Sequence, residues 1–354
     1  MTPNHLQQIQ QSTRGLSTLQ RVALGQVPAS PIFVGNRYNN QIELVKSAIL
    51  APSSHNTQPW KFKLSEKLIS IFPDFSRRCP AVDPDDHHLY ISLGCASENV
   101  AQAALSYGLM AQTKVDFDKS ESIDLHLSPT KAFESSLFQA IPTRQCTRTE
   151  YNGSPISNTE LSILEKIGTG RGVHCHLITE KPSLEKILEF VVEGNSAQMK
   201  DKAFVTELKN WIRFNKSEAH DLGDGLYSAT AGSPNIPTWL GKLIFTSIFT
   251  EKSENEKYVK QIRSSAGIAI FSSDKNDANH WVEVGRCFER FALQATSLGL
   301  RTAMINQPVE LPSIRPLFAS YLGLGMQRPD LVVRFGRAPL TTRSMRRELS
   351  AVLI

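Results

Sequence analysis

Short hydrogen-bonding side chains are concentrated in the segment APSSHNTQPW, residues 51–60, which follows the helix-like apolar pattern of QIELVKSAIL. Such side chains hold donors and acceptors close to the backbone, so a ligand rich in hydroxyl groups and acceptors can approach the chain closely. The segment itself has little helix or strand periodicity. We therefore predict a binding loop at a helix exit, anchored in the core by Pro59 and Trp60.

Two basic segments have the composition of an anion site. In IPTRQCTRTEYNGSPIS, residues 141–157, Arg144 and Arg148 lie four apart among threonines, and guanidinium, hydroxyl and backbone N–H groups together can cradle a phosphate. An ordinary solvated turn has the same composition. In RFGRAPLTTRSMRRE, residues 334–348, five arginines precede an apolar ending, LSAVLI. That ending predicts a tail that is held down, which favours convergence of the arginines on an anion over a solvated tail.

Composition and charge limit the classes of protein to which this chain can belong. The 354 residues are 40% apolar and 21% charged, as in soluble globular proteins, and a net charge of +5 is too small to indicate nucleic acid. The sequence has no apolar run of about 18 residues, and its first 20 residues lack the apolar region of a secretory signal. Five scattered cysteines predict free thiols. We expect a cytoplasmic protein that binds neither membrane nor nucleic acid.

Two histidine-containing segments look like metal sites but lack complete ligand sets. His174 and His176 lie on one side of a predicted strand with no further ligand indicated. DPDDHH, residues 83–88, is better explained as a turn and helix start capped by Asp85 or Asp86. Walker A, GxGxxG and GxSxG motifs are absent from the sequence. No metal site is predicted.

The chain carries an internal duplication. ISLGCASENVAQAALSYGL, residues 91–109, aligns without a gap with VEVGRCFERFALQATSLGL, residues 282–300, so Gly94 matches Gly285 and Glu98 matches Glu289. Any two alanine-rich helices that end in glycine look alike, but both segments are also followed by strand-like sequence. Small residues along each helix would let the two pack closely at a pseudo-twofold axis.

The elements that must position these residues form an α+β fold of two related α/β halves fused into an intramolecular pseudo-dimer. We predict an N-terminal arm at 1–30, half one at 31–140 and half two at 141–354. Residues 214–256 contain several glycines and prolines and a tryptophan, so they form either a lid or an ordinary surface excursion, and Trp239 and Phe245 favour a lid because aromatic side chains bury. Helices are predicted at 41–50, 89–107, 158–167 and 183–200, a helix or loop at 312–321, and strands at 61–64, 68–72, 113–118, 173–178, 267–271, 302–305 and 329–335.

The same segments resemble a known family. APSSHNTQPW is similar to the APSxxNxQPW segment of flavin-dependent nitroreductases, TRQCTR to their arginine segment at the phosphate, and GLRTAMINQP to their segment under the flavin ring. The order of the segments and the duplication resemble the long, single-chain Acg-type proteins. The resemblance spans about Gln41 to the C-terminus and is weakest in the lid. It implies a nitroreductase-like fold with FMN bound between the halves.

The resemblance also assigns roles to residues. It places Arg144 at the phosphate and Arg148 near the N1/O2 edge of the ring, and it puts Cys146 where the family has serine, which weakens one hydrogen bond. Half one would contact the ring and ribityl chain, and the segment after residue 303 would line the ring near N5. The tail would close the phosphate site, with the choice among its arginines left open. The implied FMN contacts are Pro52, Ser53, Ser54, Asn56, Arg144, Gln145, Cys146, Arg148, Met304, Ile305, Asn306, Gln307, Arg343, Arg346 and Arg347.

The function implied is that of an FMN-dependent oxidoreductase that passes electrons from NAD(P)H to a nitro compound, a quinone or a similar acceptor, with no catalytic side chain beyond the flavin. The alternative is a flavin-storage protein in which the lid closes over FMN. Half one reads PIFVGNRYNN, with one arginine, where its own arginine segment would stand. Each chain should therefore hold one FMN and act as a monomeric pseudo-dimer.

Overall fold

The computed structural model describes residues 37–354, apart from the side chains of residues 37–39 and 246. The predicted N-terminal arm, 1–30, and the first residues of half one lie outside this range. Within the described residues, no helix combines the length and the apolar character needed to cross a membrane.

Residues 37–140 form one antiparallel sheet covered by a long helix. The strands pair in the order β1-β2-β4-β3. The strand β4, IDLHLSP, was missed from the sequence because it follows the turn-rich DKSES. The other predicted elements of this half are confirmed with ends shifted by a few residues. The elements are α1 (Arg37–Ala48), β1 (Trp60–Ser65), β2 (Leu68–Pro73), α2 (His87–Ser106), β3 (Leu109–Val115), β4 (Ile123–Pro129) and α3 (Ser136–Ala140).

Residues 158–337 contain a second antiparallel sheet, with the order β5-β8-β10-β9, and an insertion of helices between its first two strands. The predicted strand at 173–178 is confirmed in full. The elements are α4 (Asn158–Gly168), β5 (Val173–Ile178), α5 (Lys181–Lys200), α6 (Lys202–Trp211), β6 (Ile212–Arg213), α7 (Lys216–Leu222), β7 (Leu226–Tyr227), α8 (Thr238–Ile248), α9 (Glu251–Arg263), β8 (Gly267–Ser273), α10 (Ala278–Ser297), β9 (Leu300–Met304), α11 (Gln307–Glu310), α12 (Arg315–Tyr321) and β10 (Arg328–Arg337).

The two sheets have the same topology. In each half a helix leads into two paired strands, a long helix follows, and two further strands complete a sheet whose spatial order is first, second, fourth, third. The difference is the insertion between β5 and β8, which includes the predicted lid segment, 214–256. The predicted fold class, two related α/β halves in one chain, is therefore confirmed.

The two long helices, α2 and α10, cross at a pair of glycines. A methyl group on Gly94 would lie 2.1 Å from the carbonyl oxygen of Val282, and one on Gly285 would lie 1.9 Å from the carbonyl oxygen of Ile91. Both distances are far below van der Waals contact, so only glycine permits this approach. The close helix packing predicted from the small residues of the repeat is confirmed at its two matched glycines.

The C-terminal tail returns from half two to the sheet of half one. The amide of Phe62 in β1 donates to the carbonyl of Val352 at 2.7 Å, and the amide of Ile354 donates to the carbonyl of Phe62 at 3.0 Å. The tail is thus held down as the apolar ending predicted. It carries residues 341–348 across the boundary between the halves, beside the loop after α1. Trp60, at the start of β1, is fully buried, as predicted.

Candidate active site

A cavity of about 580 Å³ lies between the two halves and under the insertion. Its wall combines the loop after α1, the segment after α3, the segment after β9 and the C-terminal tail. The fold therefore brings together most of the residues that the resemblance implied. Those in the cavity wall are Pro52, Ser53, Ser54, Asn56, Arg144, Gln145, Cys146, Arg148, Met304, Asn306, Gln307, Arg343 and Arg346.

Ile305 and Arg347 lie outside the cavity wall. Side chains alternate along an extended segment, so Ile305 points into the apolar core between its cavity-facing neighbours, with 1% of its surface exposed. Arg347 turns away and donates from Nη1 to the carbonyl of Gln58 at 3.2 Å and from Nη2 to the carbonyl of Ala351 at 2.8 Å. It braces the loop and the tail against each other. Among the tail arginines, Arg343 and Arg346 reach the cavity.

The loop after α1 is held in a sharply turned conformation. The amide of Gln58 donates to the Ser53 hydroxyl at 2.9 Å, and His55, Asn56 and Gln58 all have positive φ. Asn56 joins three segments, since its Nδ2 donates to the carbonyls of Gly225 and Met345, both at 3.1 Å. The polar side chains of APSSHN therefore fix the loop to the insertion and the tail as well as lining the cavity.

Two segments bring three arginines together in the cavity wall: Arg144 follows α3, and Arg343 and Arg346 belong to the tail. Arg144 places Nε 3.1 Å from Oε1 of Glu289, and Arg346 donates from Nη1 to Oδ1 of Asn56 at 3.0 Å. Burial and the repulsion of Arg144 and Arg343 lower the pKa of Arg346 to about 9. Burial and Arg144 also lower the pKa of Arg343, which has no hydrogen-bond or ion-pair partner among residues 37–354. This part of the cavity wall carries unneutralised positive charge.

Glu289 does not line the cavity but lies against Arg144, which does; sequence reasoning did not assign it to the site, although the repeat alignment singled it out. Its carboxyl group is fully buried on α10, and burial raises its pKa to about 7 against the opposing effect of Arg144. Near neutral pH it is therefore only partly ionised. The arginine cluster (Arg144, Arg343 and Arg346) thus faces at most one compensating negative charge.

The segment after α3 is fixed by the second sheet and by the tail. The amide of Thr147 donates to the carbonyl of Thr302 in β9 at 3.0 Å. Gln145 accepts at Oε1 from the amide of Thr341 at 2.7 Å and donates to its carbonyl at 3.1 Å. These contacts position Arg144 and Cys146 in the cavity wall. Arg148 donates to the hydroxyl of Thr230 in the insertion at 3.5 Å.

The insertion contributes apolar side chains to the cavity wall, together with some polar ones. The apolar side chains include Phe204, Leu208, Phe214, Ile244 and Phe245. Phe245 is buried, as expected of a lid aromatic, but Trp239 is 69% exposed, so the expectation that both aromatics bury is wrong for Trp239. Trp239 lies on the outer face of α8, whose inner face already packs on the cavity. The cavity wall thus combines a cluster of arginines with apolar side chains.

Two further histidines line the cavity and were not predicted to do so. Burial and Arg148 lower the pKa of His55 to about 4, and burial with the neighbouring His87 lowers the pKa of His88 to about 3. Both rings are therefore neutral at pH 7. His88 Nε2 lies 3.3 Å from the carbonyl of Asp330. The sequence signal that could have identified His55 as a cavity residue is its position inside the APSSHN motif.

The two histidine-containing segments singled out in the sequence, residues 83–88 and 174–176, make ordinary hydrogen bonds within the fold. Asp86 occupies the N-cap position of α2, one of the two positions predicted, but its side chain makes no capping hydrogen bond. The carboxylate of Asp83 does so instead, accepting from the amides of His88 at 3.1 Å and Leu89 at 3.0 Å. The reason is that the turn places Asp83 beneath the helix end. His174 and His176 point to different partners, Asp274 and Ser272, each at 2.9 Å.

Comparison with known proteins agrees with the resemblance stated from the sequence. No family model matches the chain. Two proteins of Mycobacterium tuberculosis named "Putative NAD(P)H nitroreductase" are similar to it over most of its length. One is 26% identical over 330 residues, covering 86% of this chain and 88% of that protein. The other, acg, is 22% identical over 311 residues, covering 84% of this chain and 90% of that protein. The resemblance to Acg-type nitroreductase-like proteins is therefore confirmed.

Solved structures give a more distant likeness. A nitroreductase with bound FMN from Bacteroides fragilis is 16% identical and covers 60% of this chain and 95% of that chain, with a TM-score of 0.37. The FMN-dependent nitroreductase NfnB from Mycobacterium smegmatis, in complex with NADPH, is 11% identical and covers 61% of this chain and 96% of that chain, with a TM-score of 0.40.

Proposed function

We propose that this chain, a relative of the Acg-type proteins, is an FMN-binding oxidoreductase that passes electrons from NAD(P)H to a small acceptor such as a nitro compound or a quinone. The observation that supports the proposal most directly is the cavity wall, which combines a cluster of arginines with apolar side chains. A phosphorylated aromatic cofactor has the matching polarity. We expect a monomer, with the predicted halves at 31–140 and 141–354.

The residues present fit FMN, and the arginine cluster provides the test. Arg144 lowers the pKa of both Arg343 and Arg346, so the cluster is unfavourable unless an anion joins its three guanidinium groups. A phosphate group would supply that anion and accept charge-assisted hydrogen bonds from Arg144, Arg343 and Arg346. FMN has this phosphate and riboflavin does not.

The remaining cavity residues suit the rest of the cofactor. Ser53 and Ser54 offer hydroxyl groups to a ribityl chain, and Asn306 and Gln307 offer amide groups to a ring edge. Arg148 supplies a positive charge that would stabilise negative charge on the ring. The flavin, when bound, supplies the hydride- and electron-accepting chemistry. The apolar side chains of the insertion exclude water from the cavity.

The experiment has two steps on the full-length chain. FMN is added to the stripped protein, and retention is measured by absorbance after gel filtration. The loaded protein is then mixed with NADH or NADPH without oxygen. Retained FMN that bleaches supports the oxidoreductase, and a chain that retains no FMN contradicts the proposal.

A flavin-storage protein is the second candidate, and the insertion supports it. Phe204, Phe214 and Phe245 all come from the insertion and line the cavity. A cover of this kind would keep a nicotinamide or an acceptor away from the ring. FMN that is retained but stays oxidised with both nicotinamide cofactors would favour storage over electron transfer.

A further inference from the structure

Three metal-binding side chains converge beside the cavity, and the proposed electron transfer uses none of them. His55 comes from the loop after α1, Cys79 from the segment after β2, and Glu207 from α6 of the insertion. His55 Nδ1 lies 3.5 Å from Cys79 Sγ. The three candidate ligand atoms all lie within 4.8 Å of one another. Residues distant in sequence thus bring an imidazole, a thiol and a carboxylate to one point.

The separation of the nitrogen and the sulfur suits a tetrahedral metal ion. Zinc binds thiolate sulfur at about 2.3 Å and imidazole nitrogen at about 2.0–2.1 Å, which places tetrahedral sulfur and nitrogen ligands roughly 3.5 Å apart. The observed distance agrees with that spacing. The combination of thiolate, imidazole and carboxylate is a zinc ligand set and is unsuited to calcium or magnesium.

The charges around the cluster also favour a cation. The carboxylates of Glu207 and Glu310 both act on the Cys79 thiol, whereas Asp83, which also acts on it, already has His87 as a partner. The opposing charges are Arg77, which already forms an ion pair with Asp224, and Arg148, which acts on His55. Within residues 37–354, no lysine or arginine forms an ion pair with Glu207; its oxygens accept from the amides of residues 81 and 82 at 3.0 and 3.1 Å, which orients the carboxylate toward the cluster.

A second cluster, Asp83 with His87 and His88, is explained without a metal. His87 Nδ1 lies 3.0 Å from Asp83 and 2.7 Å from Asp85, where one N–H can serve both carboxylates. Asp85 also accepts from Arg328 at 3.0 Å. The negative charges of this cluster are therefore neutralised by the chain itself, and His87 provides a control position.

We propose that His55, Cys79 and Glu207 form a zinc site that fastens α6 of the insertion to the loop after α1, with water as the fourth ligand. Binding forms a Zn–S bond in place of the S–H bond of Cys79, and the proton leaves to solvent with no change of oxidation state. The metal ion would then link the loop after α1 to α6 of the insertion. The inference does not depend on FMN, because none of the three ligands belongs to the arginine cluster.

The test measures zinc and flavin separately in the same samples. Full-length protein is stripped with a chelator, reloaded with excess zinc, passed through gel filtration in metal-free buffer and analysed by elemental mass spectrometry. We expect about one zinc per chain. Cys79→Ala and Glu207→Gln should lose it, whereas Cys175→Ala, which removes a buried thiol elsewhere, and His87→Gln should retain it.

Cobalt replaces zinc as a second probe that needs no variant. A cobalt-loaded wild-type chain should show a sulfur-to-cobalt charge-transfer band, because Cys79 supplies the thiolate. Wild-type protein that retains neither metal overturns the proposal, whether or not it binds FMN. So does zinc that survives Cys79→Ala at full stoichiometry, or zinc that is lost equally from Cys175→Ala.

Discussion

Arg343 is the single residue whose substitution can measure how much phosphate binding contributes to the affinity for FMN. It lines the cavity but, within residues 37–354, has no ion-pair or hydrogen-bond partner whose loss would disturb the fold. A charge-assisted hydrogen bond contributes about 1.5–3 kcal/mol, so Arg343→Ala should weaken FMN binding by about 10- to 100-fold. Fluorescence titration of the stripped protein measures the change. Riboflavin, which lacks the phosphate, should bind the variant and the wild type equally.

The matched control for Arg343→Ala is Arg171→Ala, which removes an exposed arginine that does not line the cavity. It should leave both titrations unchanged. Equal weakening of riboflavin and FMN by Arg343→Ala would mean that Arg343 shapes the cavity and does not bind phosphate.

The buried carboxyl group of Glu289 should make the free energy of unfolding depend on pH. Its pKa is about 7 in the folded chain and about 4.5 in the unfolded chain. Between these values the folded state holds a proton that the unfolded state has released. The stabilisation is full below pH 4.5 and is lost as the pH rises through 7. Glu289→Gln keeps the neutral shape and removes this titration. Between pH 4.5 and 8 the wild type should lose up to about 3 kcal/mol relative to the variant.

Urea unfolding of both proteins at pH 5 and pH 8 measures that difference. Glu165→Gln changes an exposed carboxylate and should follow the wild type at both pH values. Parallel behaviour of Glu289→Gln and the wild type would show that Arg144 keeps Glu289 ionised throughout this range.

The crossing of α2 and α10 gives the sharpest prediction at the scale of elements. Because a methyl group on Gly285 would lie 1.9 Å from a backbone oxygen of the other helix, Gly285→Ala must separate the two helices. Overpacking of this kind costs about 1–3 kcal/mol and more where the obstacle is backbone. We expect a large fall in soluble yield and in melting temperature. Ser297→Ala, an exposed change on the same helix, should leave both near wild-type values.

The elements that the sequence predicted well are those with a clear period and a clear end. The α4 helix carries a capping box of Ser157 and Glu160, and its prediction is correct to within one residue. β4 (Ile123–Pro129) was missed although it pairs with the adjacent strand β3, because the turn-rich DKSES before it hides the hairpin. The capping hydrogen bonds of Asp83 were missed because they depend on how the turn folds, which composition does not show.

Contacts between distant segments were the least predictable part of the site. The sequence indicated three arginine-bearing segments but could not choose among the tail arginines, because that choice depends on how the tail crosses to β1. It also could not show that His55, Cys79 and Glu207 meet, since 152 positions separate the first from the last. The boundaries at residues 31, 140 and 214–256 stay predictions.

The whole molecule is a pseudo-dimer with unequal halves, which bears on how many cofactors it holds. The position that matches Glu289 in the repeat is Glu98. Glu98 Oε2 lies 3.0 Å from Nη1 of Arg290 and 3.4 Å from Nε of Arg286, and Glu283 lies 3.5 Å from Arg290. Here two arginines meet two carboxylates, so the charge that would attract a phosphate is already neutralised.

Space at this second position is also filled. A methyl group on Gly170 would lie 2.5 Å from the sulfur of Cys287 and 2.7 Å from a carboxylate oxygen of Glu283. The segment GTGRG thus packs directly on α10, whereas the corresponding loop of half one, APSSHN, borders the cavity. Neither the charge nor the room for a second FMN is present at this position.

We therefore expect one FMN for each chain of 39.4 kDa. Flavin released by denaturation is quantified by absorbance against protein concentration, and light scattering of the loaded protein gives the mass that carries it. One flavin on the mass of a single chain agrees with a complete site built from both halves. Two flavins per chain would show that the neutralised position opens, and one flavin per two chains would show that a second chain completes the site.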